Sequence, residues 1–157
     1  MKILIIEDEA LIALAYADAV ECAGYTVIGI CCSLEQAQEL TRDERPDLAL
    51  VDLRLGQKRC GAKVEAWLHE TYGTTAVYIT ANVDFAHTYR TYGIGYVEKP
   101  VGPVALVDVV DFLAAVHRGE RLPPTPRCLT LFEDRMDAVR RKRRSPPTHE
   151  RRDAAMA

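Results

Sequence analysis

The sequence predicts one α/β domain of the form (βα)5, a doubly wound parallel five-stranded sheet with helices on both faces, followed by a C-terminal tail. Three observations carry this. Short apolar, β-branched runs recur five times within residues 1–119. A stretch of helical periodicity follows each run. After Gly119 the composition turns proline-rich and then basic. Strands alternating with helices imply right-handed crossovers and a parallel sheet buried on both sides, and 157 residues fit one domain with an appendage.

In chain order, "KILII" (2–6) is the first strand, and the helix "ALIALAYADAVECA" (10–23) stops at Gly24, a residue suited to a left-handed cap. "TVIGI" (26–30) is the second strand. The helix "LEQAQELTRD" (34–43) follows Ser33, with Gln36 at capping-box spacing. "LALV" (48–51) is the third strand, and its four apolar residues fit a sheet covered on both faces. "AKVEAWLHETY" (62–72) ends at Gly73, and "AVYI" (76–79) is the fourth strand. "DFAHTYRTY" (84–92) reads as a helix ending at Gly93, and "GYVE" (95–98) as the fifth strand. The last helix begins near Pro103, a good first-turn residue, and runs to Gly119. In the tail (120–157), "ERLPPTPR" reads as extended, and Phe132, Met136 and Val139 form the apolar stripe of a short amphipathic helix at about 131–144.

The net charge of −3 conceals an asymmetry. Residues 1–119 hold ten basic and seventeen acidic residues, whereas 120–157 hold ten and six, so an acidic body carries a basic tail. "MKILII" is too short for a signal peptide and nothing approaches a membrane span. The five cysteines show no zinc spacing, and reduced thiols in the cytoplasm are the simplest reading. Cys60, in a polar loop, reads as a spectator.

In sheets of this kind ligands bind outside the carboxyl ends of the strands. Glu7, Asp8 and Glu9 follow the first strand, Asp52 closes the third, Thr80 the fourth, and Lys99-Pro100 the fifth. The second strand contributes nothing obvious, as befits an edge strand in the flavodoxin-like order 2-1-3-4-5. Singly, each residue has a plain reading: a turn residue, a β-former, a solvated lysine, or acids at a helix start. Jointly they converge on one rim. Carboxylates about 4 Å apart repel by ~1 kcal/mol in water and roughly 4 kcal/mol at an effective dielectric of 20. A hard cation such as Mg²⁺ with oxygen ligands answers that repulsion. A lysine and a hydroxyl beside it suit an incoming phosphoryl group, and an Asp is a competent nucleophile for one.

With "ILIIEDE", "PDLALVDLRL", "VYITA" and "GYVEKP" in order, residues 1 to about 118 resemble the receiver domain of bacterial two-component response regulators. The resemblance implies that Asp52 is the phosphoryl acceptor, that Asp8 and Asp52 ligate Mg²⁺ with the backbone carbonyl of Arg54, and that Glu7 acts through a metal-bound water. It implies a switch made of Thr80 and Tyr96, a phosphoryl-pairing Lys99, a cis bond before Pro100, and lifetime tuning by Arg54 and Asn82. It further implies a sensor histidine kinase or phosphotransfer protein as donor, with small phosphodonors also serving. A phosphorylation-dependent homodimer through the fourth helix and fifth strand belongs to the same set.

The loop after Asp52 departs from the family pattern: Gly56 stands where a Pro is usual, and Gly61 comes one residue late. This longer, more basic loop is similar to that of single-domain regulators paired with HWE and related kinases of alphaproteobacteria. Thirty-eight residues after Gly119 leave no room for a helix-turn-helix output domain, so the expectation is a stand-alone receiver acting by protein contact. "RRKRR" (140–144) in the tail would give only weak, salt-sensitive nucleic-acid binding.

Rival classes lack their own motifs. "EDEA" would repel the phosphate of a flavin-type cofactor. A haloacid-dehalogenase nucleophile needs an Asp where Arg54 stands, and there is no G-x-x-x-x-G-K-[ST] loop. A phosphorylation-independent pseudo-receiver adaptor is the remaining alternative, and a site keeping Asp8, Asp52, Thr80 and Lys99 argues against it. The four histidines share no metal-ligand spacing, and Phe85, Tyr89 and Tyr92 make a helical stripe that reads as core.

Overall fold

In the computed structural model, which describes residues 1–55, 61–90 and 92–135, five β-α repeats are followed by a sixth strand. The strands are β1 (Lys2–Ile6), β2 (Thr26–Cys31), β3 (Leu48–Val51), β4 (Thr75–Thr80), β5 (Gly93–Glu98) and β6 (Leu129–Leu131). The helices are α1 (Ala10–Cys22), α2 (Leu34–Leu40), α3 (Gly61–Tyr72), α4 (Val83–Thr88) and α5 (Pro103–Arg118). The sheet order is β2-β1-β3-β4-β5-β6, with the first five parallel and β6 antiparallel to β5.

The apolar runs sort onto two faces by the period of two. Leu48 and Leu50 of β3, with Ile3, Ile5, Val77 and Ile79, pack under α1 and α5. Ala49 and Val51, with Leu4, Ile6, Ala76 and Tyr78, pack under α2, α3 and α4. Both faces of β3 are therefore covered, which is why "LALV" does not alternate. Burying each of its leucines contributes about 2 kcal/mol.

Helix ends follow local chemistry. The Ser33 hydroxyl accepts from Gln36 N (3.3 Å), while Gln36 Oε1 reaches back to Cys32 N (2.8 Å). Gly24, Gly73 and Gly119 take the positive φ that stops α1, α3 and α5. The fourth helix is shorter than its periodicity predicts. It ends at Thr88, because the backbone carbonyl of Tyr89 turns inward to accept the buried Tyr78 hydroxyl. Gly93 belongs to β5 rather than to a helix stop. Its nearest obstacle is the Tyr78 ring, 2.6 Å from where a Cβ would stand.

The tail also differs from expectation. Leu131 lies in β6, and Phe132 is buried at 3 % exposure instead of starting a surface helix. Helical structure begins at Glu133, and the rest of the helix expected to 144 lies outside the described residues. "RRKRR", His149, and residues 56–60 with Gly56 and Cys60 lie outside them as well. Among the described residues, no helix is long and apolar enough to cross a membrane.

Candidate phosphoryl and metal site

Parallel pairing of β1, β3, β4 and β5 brings their carboxyl ends to one rim. Asp52 is placed there by its own backbone, since Asp52 N donates to Ile6 O (2.8 Å) and extends the β1–β3 ladder by one residue. Its carboxylate is only 8 % exposed. One oxygen accepts from Arg54 N (2.7 Å) and the other from Lys99 Nζ (2.6 Å). The same ammonium donates to Glu7 Oε2 (2.7 Å), and Glu7 Oε1 accepts from Glu9 N (3.2 Å). Lys99 thus bridges two buried carboxylates. Its backbone N donates to Thr80 O (2.9 Å), and the Lys99–Pro100 bond is cis.

The protonation equilibria reflect this packing. Burial pushes the Glu7 carboxyl above its usual range, and the Lys99 hydrogen bond opposes the rise. For Lys99, burial favours the neutral amine, yet the hydrogen bonds to Asp52 and Glu7 outweigh it and the pKa rises. At neutral pH the cluster holds a firmly charged lysine.

Glu7, Asp8 and Asp52 each offer a carboxylate oxygen, and these lie within 4.8 Å of one another. Glu7 and Asp52 are buried, whereas Asp8 is exposed at the rim. This all-oxygen donor set, closed on one side and open on the other, fits a hard divalent cation that retains water. The main chain of Arg54 sits beside it, held by the Asp52 carboxylate, while its side chain points to solvent.

Gly61 opens α3 directly behind Asp52. A Cβ there would stand 2.0 Å from the Asp52 carbonyl oxygen, so only glycine lets the helix start this close to the carboxylate.

Thr80 is fully buried at the end of β4, where its Oγ1 accepts from Asn82 N (3.1 Å). Asn82 in turn caps α4 by accepting from Phe85 N (3.2 Å). Tyr96 is half-buried on β5, two residues from the register partner of Thr80 and on the same sheet face. Its ring lies 5.5 Å from His87 and 6.0 Å from Phe132. The stripe Phe85, Tyr89 and Tyr92 is half-buried, with Phe85 and Tyr89 packed against the core.

Three features escaped sequence reasoning. Tyr16 sits on the core face of α1, 6 % exposed, and its phenol pKa is raised by burial and also senses Lys99, Glu7 and Asp52. Its signal was present: with Ala13, Ala17 and Val20 it forms a helical stripe beneath the acidic rim. With Leu11, Ile12, Lys99, Pro100 and Pro103 it lines an open cavity of about 560 Å³ beside the site. Glu65 is the second feature, a carboxyl 1 % exposed inside α3 whose pKa burial pushes up to about 8. Its spacing of three from Leu68 placed it on the apolar face. The third is the place of Phe132, expected on the stripe of a tail helix and found in the core under α4.

Comparison with known proteins agrees with this geometry. A family model described as "Response regulator receiver domain" matches residues 3–111. The chain is 36% identical over 112 residues to the phyllosphere-induced regulator PhyR of Methylorubrum extorquens, covering 70% of this chain and 42% of that protein. It is 29% identical over 115 residues to the polar-differentiation response regulator DivK of Brucella anthropi, covering 69% of this chain and 92% of that one. It therefore spans less than half of PhyR but nearly all of DivK. The solution NMR structure of the Erythrobacter litoralis PhyR response regulator REC domain superposes with a TM-score of 0.62 at 28% identity, covering 70% of this chain and 86% of that one.

Proposed function

The chain belongs to the response regulator receiver domain family, and from that premise we propose that Asp52 accepts a phosphoryl group from a phosphohistidine and that Thr80 and Tyr96 convert the event into a change of surface. The observation that carries this reading is the Lys99 ammonium shared between Asp52 (2.6 Å) and Glu7 (2.7 Å) at a rim open to solvent through Asp8.

In the step proposed, a carboxylate oxygen of Asp52 attacks phosphorus as the P–N bond to the donor imidazole breaks. The imidazole leaves with the electron pair and takes up a proton, and Asp52 becomes an acyl phosphate. Mg²⁺ held by Asp8, Asp52, the Arg54 carbonyl and, through a water, Glu7 would offset the charge gathering on the phosphoryl oxygens. Lys99 supplies the second positive charge from within the protein. Its two hydrogen bonds fix the ammonium before a donor arrives, so the attraction requires little reorganisation.

Thr80 then becomes the responder. Among the described residues its hydroxyl is engaged by the Asn82 main chain, a pairing that a charged phosphoryl oxygen outcompetes, since charge-assisted hydrogen bonds are roughly twice as strong as neutral ones. The displaced hydroxyl leaves space on the face it shares with Tyr96, into which that ring turns. Arg54, exposed beside Asp52, and Asn82 set how readily water reaches the acyl phosphate, and hence its lifetime.

The donor is a sensor histidine kinase or a phosphotransfer protein. Leu11, Leu14 and Val104 are 85 %, 58 % and 79 % exposed, and with the cavity beside Lys99 they offer an apolar landing surface next to the acceptor. The described cysteines are all free thiols, which fits a cytoplasmic signalling domain whose only chemistry is its own phosphorylation and dephosphorylation. The test is chemical. Incubation with Mg²⁺ and acetyl phosphate should give a hydroxylamine-labile phosphoryl group that Asp52→Asn abolishes, and normal uptake by that variant would refute the assigned acceptor.

A further inference from the structure

The segment after α5 returns to the sheet and closes the face on which Tyr96 sits. Leu129 to Leu131 pair with Val97 to Gly95, and Phe132 N donates to Ile94 O (3.1 Å). This approach depends on a glycine. A Cβ on Gly95 would stand 2.3 Å from Thr130 O and 2.9 Å from Leu131 Cα, so any other residue would push β6 away. Phe132 then inserts among Tyr78 (6.1 Å), His87 (5.9 Å) and Tyr96 (6.0 Å). One of these three rings is the proposed switch tyrosine, and another belongs to α4. The charge of Arg135, one turn further on, lowers the cost of the buried Glu65 carboxyl.

Against this anchorage stands the shortness of the strand. Three residues pair with β5, and at the first of them Leu129 N turns back on Pro126 O. Pairing this short does not hold by backbone hydrogen bonds alone, so the segment stays by its side chains, Leu129 buried on one face of the sheet and Phe132 on the other. Thr80 and Tyr96 lie on one face of the sheet, at adjacent same-side positions in the β4–β5 register. A turn of the Tyr96 ring toward Thr80 withdraws one wall of the Phe132 seat.

We infer that residues 129–135 are a releasable cover: docked on β5 and α4 in the resting protein, they come away when phosphorylation of Asp52 turns Tyr96 inward. The cover shields the β5 edge and the α4 face in the resting state and exposes both afterwards. A homodimer through the fourth helix and fifth strand would then require release first. The inference rests on the phosphoacceptor reading above for its trigger, while the docked contact stands on the structure alone.

Hydrogen–deuterium exchange on the full chain separates the two. Intact mass first reports phosphoryl occupancy after Mg²⁺ and acetyl phosphate or, where that donor fails, a phosphorylated histidine kinase or phosphotransfer protein, and absence of uptake from both overturns the acceptor reading and the trigger together. In phosphorylated protein, amides of 129–132 should exchange about 5-fold faster or more, the ratio expected when one aromatic neighbour is lost, while β3 and β4 amides keep their protection. Asp52→Asn should show no response. Tyr96→Ala and Phe132→Ala should each open the segment to a similar degree without any phosphodonor. If loaded protein keeps 129–132 protected, β6 is a permanent sixth strand and the inference falls. Unchanged exchange in Tyr96→Ala would overturn it equally, whatever the phosphorylation result.

Discussion

Replacing Lys99 by alanine tests the electrostatic core of the site. Glu7 and Asp52 are 3 % and 8 % exposed, and both lean on the one ammonium. Removing one member of a buried ion group costs about 3–5 kcal/mol, because the remaining charges stay desolvated. Lys99 itself is 15 % exposed, so the lower end applies, and Lys99→Ala should lose about 3 kcal/mol near neutral pH. The pH dependence has a definite sign. The Lys99 pKa is raised, so its contribution is complete below the ordinary lysine value and fades only as pH rises through the folded one. Glu7 already titrates above its usual range. Losing Lys99 raises it further, so the deficit shrinks as pH falls and Glu7 takes up a proton. Urea unfolding in EDTA, repeated in excess MgCl2, reads both effects. Mg²⁺ should stabilise the variant more than wild type, since in wild type the lysine already offsets the two carboxylates. A variant within about 0.5 kcal/mol of wild type in EDTA, with no larger response to Mg²⁺, would refute the reasoning.

Two further outcomes follow from other buried groups. Glu65 has its pKa raised to about 8 by burial, so its contribution is fully present below 4.5 and is lost as pH rises toward 8; Glu65→Gln should flatten that decline and be roughly 2–4 kcal/mol more stable than wild type above pH 8, and superimposable melting profiles would count against it. Thr80→Val keeps the shape of a fully buried side chain but removes the hydroxyl held by Asn82. Phosphoryl uptake should stay within about tenfold of wild type, while the NMR shift of the Tyr96 ring on phosphorylation should vanish; a persisting shift would contradict the proposed switch.

The parallel strands were legible because each is a short apolar run between turn residues, and β1 and β3 match their expected limits, 2–6 and 48–51. The rim could be reasoned out because topology alone carries Asp8, Asp52, Thr80 and Lys99 to the strand ends. Tertiary effects set the limits of that reading. The fourth helix was expected through Tyr92, but the Tyr78 hydroxyl, distant in sequence, captures the Tyr89 carbonyl and ends the helix early. Helical spacing in "TLFEDRMDAV" masked a three-residue strand, for which Leu129 in and Thr130 out give too little alternation. The signal lay elsewhere, in Gly95, since a glycine within a strand often marks the close approach of another backbone. Tyr16 and Glu65 sat on recognisable helical stripes, yet a phenol next to the acidic cluster and a carboxyl kept from water emerge only once the helices are packed.

The most direct measurement is intact mass after incubation with Mg²⁺ and acetyl phosphate, wild type beside Asp52→Asn, each with and without EDTA. A single phosphoryl group on wild type, absent from Asp52→Asn and absent in EDTA, is the predicted result. Uptake by Asp52→Asn, or a wild type that stays unmodified even with a phosphorylated histidine kinase or phosphotransfer protein as donor, would contradict the assignment of Asp52 as acceptor.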